Sequence, residues 1–284
     1  MIKIPDIFKQ KIKVTFPPHV RLDLIEEYAE KYFASRDTFG YEYLPIHWCA
    51  WHVNNGYGRE VETLRRWVRE NVPKGKYFTT VQYDGGTLID NTLDEIGVLR
   101  FCCDGERLAK ANSPNNVWIP LLCDPHPVKR LPYNECVYLA SFVGSFGTHP
   151  VRKRLREVFQ KRPGYYCECV DTNCFRNVLR ASKFAFCPRG SGITSFRLYE
   201  AIQIGCVPVY ISDYFAFPFS NKINWNRLAV LVPFESFDDI HDILSTILEN
   251  TIESMREYGQ ECYKNFFTME KTCEEILNIL KAMA

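Results

Sequence analysis

Short apolar runs alternate with amphipathic segments along most of this chain, and such alternation is typical of an α/β protein. Apolar residues at helical spacing predict helices over residues 20–34, 59–71, 148–159 and 173–180. Continuous apolar runs predict strands over residues 77–83, 96–101, 116–119, 136–143, 165–170, 183–187 and 207–211. An aromatic run over residues 43–51 predicts one more strand with its exit loop. Because parallel strands need helical crossovers, the alternation favours mainly parallel sheets.

Two helix starts near the C-terminus are predicted from residues typical of N-caps. Ser236 with Asp239 three positions later fits a variant of the capping box, and apolar residues follow at helical spacing over 240–248. Thr272 with Glu275 three positions later predicts the start of the last helix.

A proline-rich passage without apolar periodicity divides the chain, and residues 124–135 are interpreted as an interdomain linker. The 284 residues suffice for two domains of ordinary size. We therefore expect Rossmann-like domains over residues 1–130 and 131–267, and a helix over 268–284 that packs back on the first domain.

The most specific local pattern is the strand, small-residue turn, helix and strand of residues 182–213, SKFAFCPRGSGITSFRLYEAIQIGCVPVYISD. Pro188 ends the first strand, a helix opens near Thr194, and Gly205 ends that helix. The turn between them consists of Arg189, Gly190, Ser191 and Gly192. Such a unit brings backbone N–H groups and the positive end of a helix dipole to one point, which suits a diphosphate.

Charged side chains near this turn fit a nucleotide ligand. Arg197 and Glu200 lie three apart on the predicted helix and share one face. One interpretation is a surface ion pair. In the other, the two side chains contact different parts of a nucleotide: Arg197 faces the phosphates, and Glu200 accepts hydrogen bonds from two ribose hydroxyls. Arg189 in the turn, and Arg152 just after a second glycine turn at 144–147, can also grip a diphosphate.

Other candidate side chains have two interpretations each. His149, beside the second glycine turn, is either a donor to a phosphate or sugar or a helix cap. His47 and His52 are interpreted as pocket wall or core. Asp84 follows the strand at 77–83 and is either an ordinary turn residue, which the Asp-Gly pair favours, or a carboxylate that enters a cleft.

Charge, hydropathy and cysteine spacing argue against several classes of function. The formal net charge of +1 gives no global field for nucleic acid, and no window reaches the ~18 apolar residues of a membrane span. Without a secretory signal, we expect a soluble cytoplasmic protein whose twelve cysteines are free thiols. Cys167, Cys169 and Cys174 lack the paired spacing of a zinc site, and no DxD motif is present. We therefore expect neither a metal nor another cofactor.

Residues 138–267 resemble the exostosin family of glycosyltransferases, which belong to the GT47 type. The motifs that carry the resemblance are C-P-R-G, S-F-R-L-Y-E-A and G-C-V-P-V within 182–213, preceded by FVGSFGTHPVRKRL and followed by INWNRLAVLVPFESFDDIHDIL. These motifs occur in the order that the family shows. The first half of the chain fits more loosely, because only Asp84 and Gly85 remain of an H-D-W-G-like element.

The resemblance implies a GT-B architecture, with two Rossmann-like domains facing across a cleft. It implies a UDP-sugar donor bound by the C-terminal domain, a glycan acceptor bound by the N-terminal domain, and inversion at the anomeric carbon. The donor-binding residues that it implies are Arg152, Arg189, Gly190, Ser191, Gly192, Arg197 and Glu200.

The resemblance leaves the base and the donor sugar as hypotheses. Asp84 is the first choice for the base, followed by Asp90 and Asp104. The chain resembles the small anchorless exostosin-like transferases of large algal viruses, which favours xylose as the sugar. Two alternatives remain: a non-catalytic module that binds a nucleotide or glycan, and a retaining transferase of GT-B architecture.

Overall fold

The computed structural model describes residues 2–13, 24–105, 113–168 and 172–284. The chain divides into two compact units, which we call the N-terminal unit (Met1–Leu122 with Thr268–Ala284) and the C-terminal unit (Cys123–Phe267). The boundary lies earlier than the predicted residue 130, and the predicted linker at 124–135 belongs to the C-terminal unit. The segment belongs there because its side chains contact the C-terminal unit. Arg130 Nη1, for example, lies 3.2 Å from Glu253 Oε2.

The N-terminal unit contains a parallel four-stranded sheet in the order β1-β2-β3-β4. The strands are β1 (Glu42–Tyr43), β2 (Tyr77–Val81), β3 (Val98–Cys102) and β4 (Asn116–Trp118). The helices before and between them are α1 (Ile25–Phe33), α2 (Trp48–Asn54), α3 (Val61–Asn71) and α4 (Asp90–Ile96). β2 and β3 are buried throughout, and α3 buries Leu64 and Val68. The predicted α/β class is confirmed for this unit.

The aromatic run at 43–51 was the least well predicted part of this unit. Only its first residue is in a strand, and the helix α2 begins at Trp48. Trp48 and Trp51 are both buried at helical spacing, and Trp48 Nε1 donates to Thr79 Oγ1 at 2.9 Å. A short apolar run has no periodicity that distinguishes a strand from a helix. The predicted helix at 20–34 begins at Ile25, and residues 20–23 lie outside the described part.

The C-terminal unit contains a parallel five-stranded sheet in the order β6-β5-β7-β8-β9. The strands are β5 (Tyr138–Val143), β6 (Tyr165–Glu168), β7 (Ser182–Pro188), β8 (Val207–Ile211) and β9 (Val230–Val232). The helices are α5 (Pro150–Phe159), α6 (Thr172–Arg180), α7 (Phe196–Ile204), α8 (Trp225–Leu228), α9 (Ile240–Thr246) and α10 (Glu249–Phe266). β6, which follows β5 in the chain, pairs with one edge of β5, and β7 pairs with the other edge. In such doubly wound sheets, ligands bind where the strand order reverses.

The helix starts around this sheet are only partly as predicted. Ser195 caps α7, and Gly205 ends it with φ +85°, as the sequence predicts. Ser236 does not cap a helix, because it lies inside a 3-10 turn over Phe234–Asp239 and α9 begins only at Ile240. The apolar pattern predicts a helix through 248, but α9 ends at Thr246, and the extended backbone of Ile247 and Leu248 precedes the unpredicted helix α10.

The last helix, α11 (Met269–Met283), belongs to the N-terminal unit. Its cap is Thr268, whose hydroxyl accepts the N–H of Lys271 at 3.2 Å. Thr272 was predicted as the cap but lies one turn inside the helix and is buried. Threonine is a typical N-cap residue at either position, so the sequence pattern alone did not show which of the two begins the helix.

A buried carboxyl group connects three elements of the N-terminal unit. Glu26, in the first turn of α1, accepts the N–H of Cys49 in α2 at 3.0 Å and the N–H of Gln82 after β2 at 2.8 Å. The Gln82 amide oxygen in turn accepts the N–H of Ile25 at 3.0 Å. Burial raises the pKa of Glu26 from 4.5 to about 8, although the two backbone N–H groups lower it.

We expect this carboxyl to make the protein less stable as the pH rises. Its folded-state pKa is above the unfolded value, so the folded state keeps the proton between about pH 4.5 and 8 while the unfolded chain loses it. The melting temperature therefore falls with rising pH through this window, and Glu26→Gln flattens that fall. Thermal unfolding followed by circular dichroism measures the slope. The matched control is Glu70→Gln on the exposed face of α3. An unchanged slope in Glu26→Gln contradicts the assignment.

Candidate functional site

Two strand-to-helix turns lie side by side in the C-terminal unit. The first turn, residues 144–149, connects β5 to α5, and the second turn, residues 189–195, connects β7 to α7. β5 and β7 are adjacent and parallel, with Ala140 opposite Phe184, so both turns leave the same edge of the sheet. Two helix N-termini therefore point to the place where the strand order reverses. Helix N-termini attract anions through their N–H groups and their dipole.

Arg152, in the first turn of α5, connects the two turns. Its Nε donates to the Arg189 carbonyl at 2.9 Å, its Nη1 to the Ser145 carbonyl at 3.1 Å, and its Nη2 to the Pro188 carbonyl at 3.1 Å. None of its partners among the described residues is a carboxylate. Burial, and then the positive charge of Arg197, lower the pKa of Arg152 to about 10. The positive charge at this point is therefore uncompensated, and an anion bound nearby relieves the repulsion.

The second turn packs closely against this arginine. A Cβ atom at Gly190 would lie 3.1 Å from Arg152 Nη2 and 3.7 Å from Thr148 Oγ1. The Gly190 N–H donates to the Thr194 carbonyl at 3.2 Å, so it is used inside the turn. Ser191 is the exposed residue of the turn, and Gly192 is buried. The close approach of the two turns explains the need for a residue without a side chain at 190.

Arg189 lies inside the second turn and is almost fully buried. Its Nε donates to the Gly192 carbonyl at 3.0 Å, and its Nη1 pairs with the Asp213 carboxylate. Asp213 follows β8, the next strand of the sheet. Arg189 thus fixes the shape of the turn, and Asp213 balances its charge.

Arg197 and Glu200 form an ion pair, but the pair is buried and is not at the surface. Arg197 Nη1 lies 2.6 Å from Glu200 Oε2, and the Glu200 side chain is 1% exposed. Arg197 Nη2 donates to the carbonyl of Val143 at the end of β5. The shared face that the spacing predicts is confirmed, and the surface interpretation is wrong. Buried pairs of this kind cost much more to break than exposed ones, because each charge left alone is poorly solvated.

His126 was missed in the sequence because it lies in the segment interpreted as a linker. Its Nε2 lies 3.5 Å from Glu200 Oε1, and its side chain is 2% exposed. Its Nδ1 lies 3.3 Å from Arg176 Nε, and its ring packs edge-on against Phe175. A lone histidine between prolines carries no periodic or motif signal that indicates this placement.

The three histidines that the sequence analysis considered all have structural contacts. His149 caps α5, because its Nδ1 accepts the N–H of Val151 at 3.2 Å, which confirms the cap interpretation. His47 is buried and contacts Glu30 at 3.0 Å. His52 is fully buried, and burial lowers its pKa to about 4. The last two belong to the core of the N-terminal unit, as one of the two interpretations predicts.

The candidate bases lie at the carboxyl edge of the N-terminal sheet. Asp84 follows β2, is partly exposed, and has a pKa raised by burial above its ordinary value. Asp104 follows the adjacent strand β3, is buried, and accepts the N–H of Gly105 at 2.7 Å. Asp90, in the first turn of α4, accepts the hydroxyl of Thr87 at 2.6 Å. The parallel pairing of β2 and β3 therefore brings Asp84 and Asp104 to the same edge.

Within residues 2–13, 24–105, 113–168 and 172–284, no group of three or more His, Cys, Asp or Glu side chains is placed to hold a metal ion. The described cysteines are free thiols, and Cys169 lies outside the described residues. None of the described helices combines the length and the hydropathy that crossing a membrane requires.

Comparisons with known proteins place the two turns inside a recognised segment. The family described as the Exostosin GT47 domain matches residues 110–247. Exostosin-2 of Homo sapiens is 33% identical over 93 residues, which are 33% of this chain and 13% of that protein. The Exostosin-1 homolog of Caenorhabditis elegans is 31% identical over 107 residues, which are 37% of this chain and 28% of that protein. These matches show similarity to exostosins over this part of the chain.

This chain thus spans at most 28% of the length of those two relatives. A similar solved structure is a mutant of S. aureus TarM in complex with Fondaparinux, alpha-GlcNAc-glycerol and UDP. It aligns with a TM-score of 0.45 and 11% identity, over 77% of this chain and 45% of that chain.

The connection made by Arg152 gives a prediction about stability. Arg152→Met keeps the aliphatic stem but leaves three carbonyl oxygens without their donor, so we expect a loss of about 2–4 kcal/mol in unfolding free energy. The matched control is Arg154→Met on the same helix, whose pair with Asp238 is largely exposed and contributes less than about 1 kcal/mol. Urea unfolding measures both. Equal losses for the two variants contradict the role of Arg152 as the connection.

Proposed function

We propose that this chain, which matches the Exostosin GT47 domain over residues 110–247, is a glycosyltransferase that moves a sugar from a UDP-sugar to a glycan hydroxyl. The observation that carries the proposal is the meeting of two helix N-termini with Arg152 and Arg197 where the strand order of the C-terminal sheet reverses. That arrangement suits a diphosphate, which has two or more negative charges and many acceptor oxygens. A GT-B arrangement of the two units is part of the proposal.

The donor is held by the two turns of the C-terminal unit. The diphosphate lies against the starts of α5 and α7, where the dipoles and the charges of Arg152 and Arg197 favour it. Arg189 keeps the second turn in shape through Gly192 and Asp213. Ser191 and Gly192 supply backbone N–H groups, whereas the N–H of Gly190 stays bonded to Thr194.

Glu200 accepts hydrogen bonds from the ribose hydroxyls. In this structure its carboxylate faces Arg197 and is buried, so the role requires the two side chains to separate when the nucleotide enters. The diphosphate makes that separation favourable, because it replaces Glu200 as the negative partner of Arg197. Breaking the pair without such a replacement is costly.

The chemical step is an inverting displacement. A hydroxyl oxygen of the acceptor attacks the anomeric carbon, a new carbon–oxygen bond forms, and the bond to the UDP oxygen breaks. Asp84 accepts the hydroxyl proton, and its raised pKa suits a general base better than an ordinary aspartate does. Asp104 and Asp90 are the alternative bases.

The leaving UDP gains negative charge in the transition state, where preorganised positive groups act most strongly. We propose that Arg152, Arg197 and the two helix N-termini stabilise it without a metal ion, since the sequence has no DxD motif. Xylose is the proposed sugar, on the resemblance to the small transferases of algal viruses.

Transfer from a panel of UDP-sugars to glycan acceptors tests the activity. We expect wild-type protein to transfer one of them with inversion, and Asp84→Asn to lose at least about 100-fold in kcat while its affinity for UDP by calorimetry is unchanged. The control is Asp37→Asn, an exposed turn residue of the same unit. Asp104→Asn and Asp90→Asn locate the base if Asp84→Asn keeps its rate.

Two results contradict the proposal in different ways. UDP binding without transfer to any acceptor rejects the enzymatic activity and leaves a binding module. A product that retains the donor's anomeric configuration rejects the single-displacement step with its one base.

A further inference from the structure

His126 has a defined orientation and proton position in this structure. Its Nδ1 lies 3.3 Å from Nε of Arg176. A guanidinium N–H only donates, and arginine stays protonated in proteins, so Nδ1 is the acceptor of this bond. The proton of a neutral imidazole is then on Nε2. The bond to Arg176 thus fixes the tautomer.

The protonated nitrogen faces the carboxylate of Glu200. Nε2 lies 3.5 Å from Glu200 Oε1, beyond the usual limit of about 3.2 Å for an N–H···O bond. Nε2 is buried and has no hydrogen-bond partner within this distance limit. A buried donor without an acceptor is unfavourable, so a small movement of Glu200 toward His126 is favoured.

The ring cannot easily turn away from Glu200. It packs edge-on against Phe175, with ring centroids 5.1 Å apart. The Arg197 guanidinium lies over the same Phe175 ring at 4.6 Å. Phe175 therefore contacts both side chains that approach the Glu200 carboxylate, whose Oε2 is 2.6 Å from Arg197 Nη1.

We propose that His126 is a positioning residue for Glu200. The inference rests on the proposed function, in which Glu200 binds the ribose and separates from Arg197. When Arg197 turns to the diphosphate, the Nε2–H of His126 bonds to Oε1 and becomes the partner that holds the carboxylate. Oε2 is then free of Arg197 and accepts the ribose hydroxyl. His126 thereby contributes to the selection of ribonucleotides over deoxyribonucleotides without touching the nucleotide.

Two substitutions separate the contacts of His126. In His126→Asn the amide oxygen replaces Nδ1 and keeps the bond to Arg176, but no donor reaches Glu200. In His126→Gln the longer amide presents an N–H near the position of Nε2. Affinities of the full chain for UDP and for 2′-deoxy-UDP are measured by calorimetry, and melting temperatures show that each variant is folded.

We expect wild-type protein to prefer UDP over 2′-deoxy-UDP by about tenfold or more, as the loss of a hydrogen bond to a charged group implies. His126→Asn reduces this ratio to about one to threefold by weakening UDP alone, whereas His126→Gln keeps at least half of the wild-type ratio. A merely structural role lowers both affinities equally and leaves the ratio unchanged. In addition, ¹⁵N NMR of wild-type protein shows Nε2 protonated and Nδ1 unprotonated.

The failures of the two proposals are distinguishable. Wild-type selectivity that persists in His126→Asn overturns the positioning role alone, and so does an NMR signature with the proton on Nδ1. A wild-type protein that binds both nucleotides equally rejects the ribose role of Glu200 and the positioning role with it. A wild-type protein that binds neither nucleotide rejects the proposed donor, and the inference falls with it.

Discussion

The reversal of strand order between β5 and β7 is the constraint on which the candidate site depends. Because the chain places β6 and β7 on opposite sides of β5, two parallel strands end side by side and their turns meet. Parallel strands place both helix starts at one edge, so two dipoles add at one point. In the N-terminal unit the described strands run in simple order, and no such reversal occurs among them.

The arginines around these turns outnumber the carboxylates that pair with them among the described residues. Arg189 is balanced by Asp213 and Arg197 by Glu200, but the oxygens bound by Arg152 are all neutral. Holding three guanidinium groups close together against two carboxylates is unfavourable in isolation and becomes favourable with an anion present. The same imbalance contributes to the lowered pKa of Arg152, which burial and then the positive charge of Arg197 depress. Stability and ligand binding are thus coupled at this place.

The sequence predicts the central motif well because its signals are local. Pro188, the glycine turn and Gly205 each determine the backbone at their own position, and α7 begins and ends as they indicate. The arginines were predicted as phosphate ligands, whereas in the structure Arg152 connects the two turns through carbonyl oxygens and Arg189 bonds to the Gly192 carbonyl within its own turn. Contacts such as His126 with Glu200 join residues 74 positions apart, and no periodicity encodes them. Helix α10 and the cap at Thr268 were missed, because N-cap signals compete and tertiary packing selects among them.

The central claim is that the diphosphate of a sugar nucleotide binds where the two turns of the C-terminal unit meet. A crystal structure of the chain with UDP tests it most directly. We expect the diphosphate within hydrogen-bond distance of backbone N–H groups in residues 191–197, with Arg197 turned from Glu200 to a phosphate oxygen. A nucleotide bound elsewhere, or a diphosphate at the turns with the Arg197–Glu200 pair still closed, contradicts the account.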